Sequence, residues 1–335
     1  MQEALFYEKK GLGEVICRLC PRNCRLKPGQ TGNCRVRENI GGTLYTHVYN
    51  KVAAIGVDPV EKKPLYHYYP GRDIFSIGEV GCNLHCSFCQ NYHISQCFAR
   101  DFRGFHEVTA QQIVAQALRG SNNIGIAYTY NEPVTFYEFM TDIAQIAHSH
   151  GLKNIVVSNG YINPEPLDKL IPFIDAFNID MKAFDDSFYR KLTQARLGPV
   201  LESLKRIAGS GKHLEITNLV ITGLNDDTEQ FDAMIKWISE ELGVDVPFHI
   251  SRYFPQYMLD VPPTPVEKLN QLFLHAKKYL NHVYLGNVYN GHRSSTYCPN
   301  CGELLVERDY NRIRIAQEGF KGFCMNCNTS ANIIM

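Results

Sequence analysis

The sequence predicts an α/β fold: a partial (β/α)6 TIM-like barrel flanked by two small cysteine-rich segments. Apolar strand-like runs alternate with amphipathic helical stretches through the middle of the 335-residue chain, which is typical of a parallel sheet covered by helices. Clusters of polar residues interrupt the apolar runs where successive predicted strands end. The cysteines form tight groups at the first predicted strand and in each flanking segment.

The predicted barrel spans residues 73–292, between an N-terminal arm and connector at 1–72 and a C-terminal four-cysteine domain at 293–335. Seven strands are predicted near residues 73–80, 124–130, 153–158, 176–182, 213–221, 247–253 and 282–288. Six helices are predicted near residues 108–119, 134–149, 165–171, 185–208, 227–241 and 265–280. Helices of this length are sufficient to carry the chain from one parallel strand to the next.

The composition disfavours some classes of partner. Lys and Arg total 34, as do Asp and Glu, so there is no net charge to attract nucleic acid or an anionic membrane. No apolar run approaches the ~20 residues of a membrane-spanning helix. Eleven of the twelve cysteines fall in groups of four, three and four, with Cys97 left over, which indicates metal binding rather than disulfides. We therefore expect a cytoplasmic protein with no membrane partner, and nucleic acid is not an expected partner.

The loop after the first predicted strand holds three cysteines, Cys82, Cys86 and Cys89. An iron–sulfur cluster normally takes four cysteines, so three leave one iron open to a ligand that is not protein. Barrels of this kind place their chemistry at the carboxyl ends of the strands, where this loop lies. The alternative is a closed zinc site completed by His85, Cys97 or a more distant ligand.

The spacing of these three cysteines, with Phe88 before the third, resembles the signature of radical S-adenosylmethionine (SAM) enzymes. In that superfamily a [4Fe-4S] cluster binds SAM at its open iron and reduces it, and a 5′-deoxyadenosyl radical forms. The resemblance implies that Cys82, Cys86 and Cys89 are the catalytic cluster ligands and that Phe88 packs near the adenine. It also implies SAM as a cofactor and an electron donor such as a ferredoxin or flavodoxin.

Residues 73 to 288 resemble the pyruvate formate-lyase activating enzyme group of that superfamily. Asn131-Glu132-Pro133 stands where the group carries Gly-Gly-Glu-Pro. Tyr130 and Asn131 thus replace the glycines of that motif, and Glu132 takes the place of the glutamate that receives the SAM amine. At later strand ends, Ser158-Asn159-Gly160 resembles the group's Thr-Asn-Gly, and Asp180 with Lys182 resembles its Asp-x-Lys pair. His249 resembles the group's histidine beside the ribose or adenine. The resemblance implies that all these side chains, Asn131 included, bind SAM.

The N-terminal arm carries a separate set of four cysteines: Cys17, Cys20, Cys24 and Cys34. Four thiolates suit either zinc or a fully ligated iron–sulfur cluster, and their spacing does not choose between the two. Zinc would mainly fold the arm, whereas a second cluster could relay electrons.

The C-terminal segment carries two Cys-x2-Cys pairs: Cys298 with Cys301, and Cys324 with Cys327. Such paired turns present four sulfurs tetrahedrally in zinc ribbons and rubredoxin-like domains, so the sequence predicts zinc here. A domain of this size cannot bury an adequate core, and a bound metal would contribute much of its stability. Its expected role is folding and docking rather than catalysis.

The connector at residues 58–71 is rich in proline, tyrosine and histidine. It is either a packed extended linker or a lid over the barrel mouth, with Lys63, Tyr66 and His67 as candidate lid residues. Its Asp-Pro-x-Glu-Lys-Lys-Pro-Leu segment and the order of the three cysteine sets resemble the radical SAM component of the AmmeMemoRadiSam system. That resemblance runs from about Cys17 to Cys327 and implies protein partners similar to the other two proteins of that system.

These observations predict a radical SAM enzyme that abstracts hydrogen from an unidentified small-molecule or protein substrate. One alternative is an activase of a glycyl radical enzyme. An alternative from another class is an electron-transfer or metal-dependent interaction protein that uses the barrel as a scaffold. RNA modification is disfavoured because the chain is neutral and has no arginine-rich stripe.

Overall fold

The N-terminal arm is built of short antiparallel strands. The computed structural model describes residues 1–288, 291–309 and 312–335. The strands of the arm are β1 (Gln2–Glu3), β2 (Tyr7–Lys9), β3 (Val15–Cys17), β4 (Arg25–Leu26), β5 (Arg37–Ile40), β6 (Thr43–Thr46) and β7 (Lys51–Val52). The first six form two small sheets with the orders β1-β6-β5 and β2-β3-β4. Short strands joined by tight turns leave the arm little core of its own.

An eight-stranded sheet forms the centre of the molecule. Its strands are β8 (Ala54–Pro59), β9 (Asp73–Gly78), β11 (Asn123–Tyr128), β12 (Lys153–Ser158), β13 (Ala176–Asp180), β14 (His213–Val220), β15 (Phe248–Arg252) and β16 (Val283–Gly286). From β9 onward the strands run parallel in chain order, and β8 pairs antiparallel with β9 at one edge. A short strand, β10 (His106–Glu107), pairs with β7 instead. The predicted α/β barrel is confirmed, and the connector adds its antiparallel edge strand.

Helices connect the parallel strands. They are α1 (Tyr92–Ser95), α2 (Ala110–Ala117), α3 (Tyr137–Ser149), α4 (Pro164–Leu170), α5 (Asp186–Phe188), α6 (Leu197–Gly209), α7 (Thr228–Glu241), α8 (Val266–Ala276) and α9 (Gly291–Ser294). Side-chain caps begin several of them; Asp227, for example, accepts hydrogen bonds from the first turn of α7. In the described part of the chain, no helix is long and apolar enough to cross a membrane.

The helix predicted at residues 185–208 is divided into three pieces. A π-helical segment, Tyr189–Thr193, follows α5 directly, and α6 begins only at Leu197. Gln194 lies between them with a φ of 54°, a left-handed conformation that ends a right-handed helix. The chain thereby turns back toward the cysteine loop, where the backbone N–H of His85 donates to the Thr193 carbonyl at 3.0 Å.

The arm and the barrel share one hydrophobic core. Val15 and Leu44 of the arm belong to the same buried cluster as Ile77 and Ile126 of the central sheet. A buried ion pair also joins them, because the guanidinium of Arg37 contacts the carboxylate of Glu138 on α3. The position of the N-terminal cysteines is therefore set by packing against the barrel.

The C-terminal segment has its own small sheet and core. Strands β17 (Thr296–Tyr297), β18 (Leu304–Asp309) and β19 (Arg312–Ile315) pair antiparallel. Its buried cluster consists of Cys298, Leu305, Val306, Phe320, Cys324, Ala331 and Ile333. Arg308 joins this segment to the connector by donating to the Tyr66 carbonyl at 2.6 Å. The boundaries predicted at residues 72/73 and 292/293 stay a prediction.

Candidate functional site

A cavity of about 330 Å³ opens at the carboxyl ends of the parallel strands. In barrels this edge collects loops and helix N-termini from several strands, which is why active sites form there. Its polar and sulfur-bearing lining consists of Lys62, Cys82, Cys86, Cys89, Gln90, Asn91, Ser95, Tyr130, Asn131, Glu132, Asn159, Asp180, Lys182, Thr217, Ser251 and Asn287. Side chains from the ends of seven parallel strands therefore converge on one space.

All three cysteines of the loop after β9 face this cavity. Gly81 begins the loop with a φ of +90°, and a Cβ there would lie 2.5 Å from the Cys34 carbonyl oxygen. Only glycine fits this conformation and this close approach. Asn131 holds the loop from the other side, since its amide donates to the Gly81 carbonyl at 2.8 Å and accepts from the Glu79 N–H at 3.0 Å.

Neither nearby candidate completes a closed zinc site in this loop. The His85 ring is engaged on both sides, by Gln96 and Arg35 at one nitrogen and by Asn33 at the other. The Cys97 thiol points to the Ile94 carbonyl at 3.3 Å rather than into the cavity. The three cysteines thus share an open space with no fourth protein sulfur along the described lining, as a cluster with one exchangeable position requires.

The electrostatics of the loop suit a bound cationic centre. Burial raises the pKa of the Cys86 thiol to about 12, against the opposing effect of the Lys182 ammonium. Burial likewise raises the pKa of Cys82 well above its ordinary value. Metal ligation requires the thiolate, so a metal bound here would displace these protons. Buried thiols around an open cavity fit that exchange.

Glu132 presents a buried carboxylate to the cavity. Its Oε1 accepts from the Ser158 hydroxyl at 2.7 Å and from the Val134 N–H at 3.1 Å, and its Oε2 accepts from the Asn159 N–H at 2.9 Å. Burial raises the pKa of Glu132 to about 7, even though these hydrogen bonds oppose the rise. A cationic ligand would stabilise the ionised carboxylate in this position, because it would offset the cost of burying the charge.

Ser158 and Asn159 act differently from each other. Ser158 does not line the cavity, and its hydroxyl orients Glu132. Asn159 lines the cavity, and its amide donates to the Asn83 side-chain oxygen at 2.9 Å and lies 3.7 Å from the Cys82 sulfur. One short turn after β12 therefore connects the carboxylate to the cysteine loop.

Asp180 and Lys182 form an ion pair at the cavity wall. The Lys182 ammonium contacts the Asp180 carboxylate at 2.8 Å, and both residues line the cavity. Burial alone would lower the pKa of Lys182, but Asp180 and Cys86 raise it above its ordinary value. Phe88 is buried beside this wall and packs against Phe188 at a ring distance of 5.9 Å. The pair supplies a fixed cation and an acceptor to the same space.

His249 is the one predicted SAM contact that the structure places in a separate hydrogen-bond network. Its Nε2 contacts the Glu215 carboxylate at 2.6 Å, and the imidazole is only 2% exposed. Ser251, two residues later on the same face of β15, lines the cavity in its place. Two residues along a strand span about 7 Å, which puts His249 below the cavity.

Sequence reasoning missed Glu215, the centre of that network. Besides His249, it accepts hydrogen bonds from His213 and from the backbone N–H groups of Tyr66 and His67. The signal was present, since His213 and Glu215 occupy alternate positions on one face of a strand that is otherwise mainly apolar.

Of the connector residues, Lys62 and Pro64 line the cavity, whereas Lys63 pairs with Asp58 at 3.0 Å.

The two flanking cysteine sets differ in geometry. The four C-terminal sulfurs lie within 4.8 Å of one another, with Cys298 and Cys327 at 3.5 Å and Cys301 and Cys324 at 3.6 Å. The N-terminal sulfurs instead surround a small cavity between the arm and the barrel, and all four cysteines line it: Cys17, Cys20, Cys24 and Cys34.

Comparison with known proteins gives a consistent result. Residues 79–238 match the profile of the Radical SAM superfamily. The chain is 46% identical over 310 residues to an uncharacterized protein of Methanocaldococcus jannaschii, and the alignment covers 92% of each chain. It is 22% identical over 216 residues to the pyruvate formate-lyase-activating enzyme of Clostridium pasteurianum, covering 60% of this chain and 88% of that relative.

A solved structure supports the fold independently. A radical SAM methyltransferase of Sphaerobacter thermophilus superimposes with a TM-score of 0.53 at 20% sequence identity, covering 70% of this chain and 71% of that chain. At this identity the likeness concerns the barrel architecture and not the reaction.

Proposed function

The chain belongs to the radical SAM superfamily and is an enzyme of that type, and from this premise we propose that it cleaves SAM in the cavity above the central sheet and abstracts hydrogen from a small-molecule or protein substrate. One observation carries the proposal. A single loop presents Cys82, Cys86 and Cys89 to the same cavity that Glu132 and the Asp180–Lys182 pair line.

The residues present fit the two cofactors of the superfamily. The three loop cysteines would hold a [4Fe-4S] cluster, which supplies the electron that SAM needs to yield a 5′-deoxyadenosyl radical. The remaining lining offers both donors and acceptors, as a ligand with an amine, a carboxylate and two ribose hydroxyls requires. Glu132, held by Ser158 and Asn159, would receive the SAM ammonium.

The ion pair and the aromatic side chain would bind the rest of SAM. Lys182 can donate to a ligand carboxylate or hydroxyl, and Asp180 keeps the ammonium oriented toward the cavity. Phe88 offers an apolar surface beside the cluster loop for the adenine. Asn131 would act mainly by fixing the loop through its two backbone hydrogen bonds. His249 has no such role in this proposal, because its imidazole is bonded to Glu215.

The proposal extends to the partners and to the C-terminal metal. A low-potential one-electron donor, such as a ferredoxin or flavodoxin, would reduce the cluster. Protein partners similar to those of the AmmeMemoRadiSam system would supply or receive the substrate. The close C-terminal sulfurs would bind zinc, since four thiolates at tetrahedral spacing are typical of structural zinc sites.

Anaerobic reconstitution tests the proposal. The protein is reduced with dithionite and given SAM, and 5′-deoxyadenosine is measured for the wild type, for Cys86→Ala and for Cys97→Ala as the matched control. We expect product from the wild type and the control and none from Cys86→Ala, because Cys97 faces away from the cavity. Equal SAM cleavage by Cys86→Ala would refute the assignment. An intact, reducible cluster with no cleavage would favour the electron-transfer alternative.

Activation of a glycyl radical enzyme is the second candidate, favoured by the similarity to the pyruvate formate-lyase-activating enzyme. Its substrate would be a backbone glycine in a loop able to reach the cavity mouth. Electron paramagnetic resonance (EPR) after incubation with a peptide from such a glycine loop tests this candidate. A carbon-centred radical on the peptide glycine would support it, and turnover without that signal would favour another substrate.

A further inference from the structure

The four cysteines of the N-terminal arm line a cavity of their own, packed between the arm and the barrel. We propose that Cys17, Cys20, Cys24 and Cys34 hold a second [4Fe-4S] cluster, fully ligated by protein, and not a zinc ion. The spacing of these cysteines leaves both possibilities open, so the choice depends on where the sulfurs lie in the folded chain.

The separation of the sulfurs is the first argument. In a zinc site with Zn–S bonds of about 2.3 Å, tetrahedral geometry sets neighbouring sulfurs about 3.8 Å apart. The C-terminal sulfurs satisfy this, with pairs at 3.5 and 3.6 Å, whereas the four N-terminal cysteines are arranged around a cavity. The three loop cysteines proposed to hold the first cluster likewise line a cavity. A cubane cluster occupies the space between its ligands and therefore needs sulfurs that stand further apart.

The polar groups around this cavity are the second argument. Arg22 and Arg37 both line it, and each has a buried guanidinium nitrogen without a hydrogen-bond partner among the described residues, Nη2 of Arg22 and Nε of Arg37. The Nη1 of Arg37 lies 3.8 Å from the Cys17 sulfur, and the Asn33 N–H donates to the Cys24 sulfur at 3.4 Å. Cluster sulfides and thiolates accept such N–H bonds, which also tune the reduction potential.

The charges around the cavity are compatible with this assignment. Four thiolates give the site a net negative charge with either metal, and burial of that charge requires a nearby cation. Arg37 is only 1% exposed and stands beside Cys17, so it provides this cation within the core. Its other partners, the Glu138 carboxylate and the Leu5 carbonyl, leave the Nε donor of the guanidinium unused.

The site also adjoins the SAM cavity. Asn83 follows Cys82 directly in the chain, lines the N-terminal cavity, and accepts from Asn159, which lines the SAM cavity. Gly81 packs against the carbonyl of Cys34. The two cysteine sets are therefore neighbours through one short segment of chain, and a cluster in the arm would adjoin the cluster in the loop.

The test counts metal in the full chain after anaerobic reconstitution. We expect about eight irons and about eight sulfides per chain, since each [4Fe-4S] cluster holds four of each. A variant without the first cluster, Cys82→Ala with Cys86→Ala and Cys89→Ala, should retain about four irons. In that variant the reduced cluster should give an EPR signal that SAM does not change, because no iron is left open.

Two variants of the arm complete the test. Cys24→Ser and Cys34→Ser should each lose about four irons while the first cluster keeps its SAM-sensitive signal, and far-ultraviolet circular dichroism reports whether each variant is folded. About four irons in the wild type, with a second zinc, besides the C-terminal one, that Cys24→Ser removes, would overturn the proposal. So would an iron-free triple variant. Neither result would affect SAM cleavage by the wild type, so the two proposals fail separately.

Discussion

The two flanking four-cysteine sets show how similar local patterns produce different sites. The N-terminal sulfurs surround a cavity inside the main core of the molecule, beside a buried arginine and next to the cavity at the strand ends. The C-terminal sulfurs lie within 4.8 Å of one another in a small separate core, and Cys301 is exposed. One set is integrated with the proposed chemistry, whereas the other would stabilise a domain that docks on the barrel.

The comparison predicts that the arrangement of the sulfurs, and not the number of cysteines, decides which metal each set binds. A tight tetrahedron requires two knuckle-like turns that face each other, as the paired Cys-x2-Cys segments at Cys298 and Cys324 do. The arm has one such pair, Cys17 and Cys20, and packing against the barrel positions the sulfurs of Cys24 and Cys34. Variants that remove a metal, a buried charge or an interface contact should therefore affect the two regions differently.

Removal of the C-terminal metal should have the largest effect. Structural zinc contributes about 10–16 kcal/mol of binding free energy in small domains, so Cys324→Ser with Cys327→Ser should unfold this segment. Zinc content and hydrogen exchange at Leu305 and Val306 measure the outcome. Cys97→Ser is the matched control, because its thiol lies outside all three cysteine sets. Unchanged protection of the two amides in the zinc-free double variant would show that the core suffices without metal.

Arg37→Met should have the next largest effect, because it leaves Glu138 buried without its cation. Breaking a buried ion pair from one side costs about 3–5 kcal/mol of the free energy of unfolding. Arg206→Met is the matched control, since the ion pairs of Arg206 with Glu202 and Asp168 are exposed and worth about 0–1 kcal/mol. Anaerobic urea unfolding compares the two. A similar small loss for both variants would contradict the view that the arm is locked into the core.

Arg308→Met should have a smaller effect, confined to the interface of the C-terminal segment. The side chain donates to the Tyr66 carbonyl at 2.6 Å and to the Thr296 hydroxyl at 2.8 Å, and its guanidinium lies over the Tyr66 ring. Loss of these charged hydrogen bonds should cost about 1.5–3 kcal/mol. We expect faster hydrogen exchange in β18 with zinc retained. Loss of zinc would mean that Arg308 supports the metal site and not the interface.

Acid should have the smallest effect on stability, through the hydrogen-bond network around Glu215 beneath the cavity. Burial lowers the pKa of His67 well below its ordinary value, so the unfolded chain takes up a proton at His67 before the folded protein does. Stability should therefore fall by about 1 kcal/mol per pH unit as the pH drops below about 6.5. Urea midpoints at pH 7.5 and 5.5 measure the change, and His67→Gln should reduce it. An equal pH dependence in that variant would assign the effect to other groups.

Glu215 extends the same dependence to lower pH. Burial alone would raise its pKa, but hydrogen bonds from His213 and His249 lower it well below the ordinary value of a glutamate. A carboxyl with a depressed pKa stabilises the fold above the pKa of the unfolded chain, and this contribution is lost as the pH falls. The two groups thus act in the same direction.

Much of the fold was predictable because its signals are local. The alternation of strands and helices and the close spacing of Cys82, Cys86 and Cys89 involve residues near one another in the chain, where covalent geometry limits the outcome. The edge strand β8 was not predicted, because its glycine and its terminal proline mask a pairing that depends on β9. The division of the helix at residues 185–208 was also missed, since a left-handed residue at Gln194 carries no strong sequence signal.

The sequence by itself determined the superfamily, the cysteine loop and the set of strand ends that line the cavity, because each depends on short motifs and on the period of a strand. Tertiary structure decided which polar side chains reach that cavity. Neighbouring strands place Ser158 beneath Glu132 and pair His249 with Glu215 below the cavity. It also decided how far apart the flanking sulfurs stand, because those distances follow from packing between segments remote in the chain.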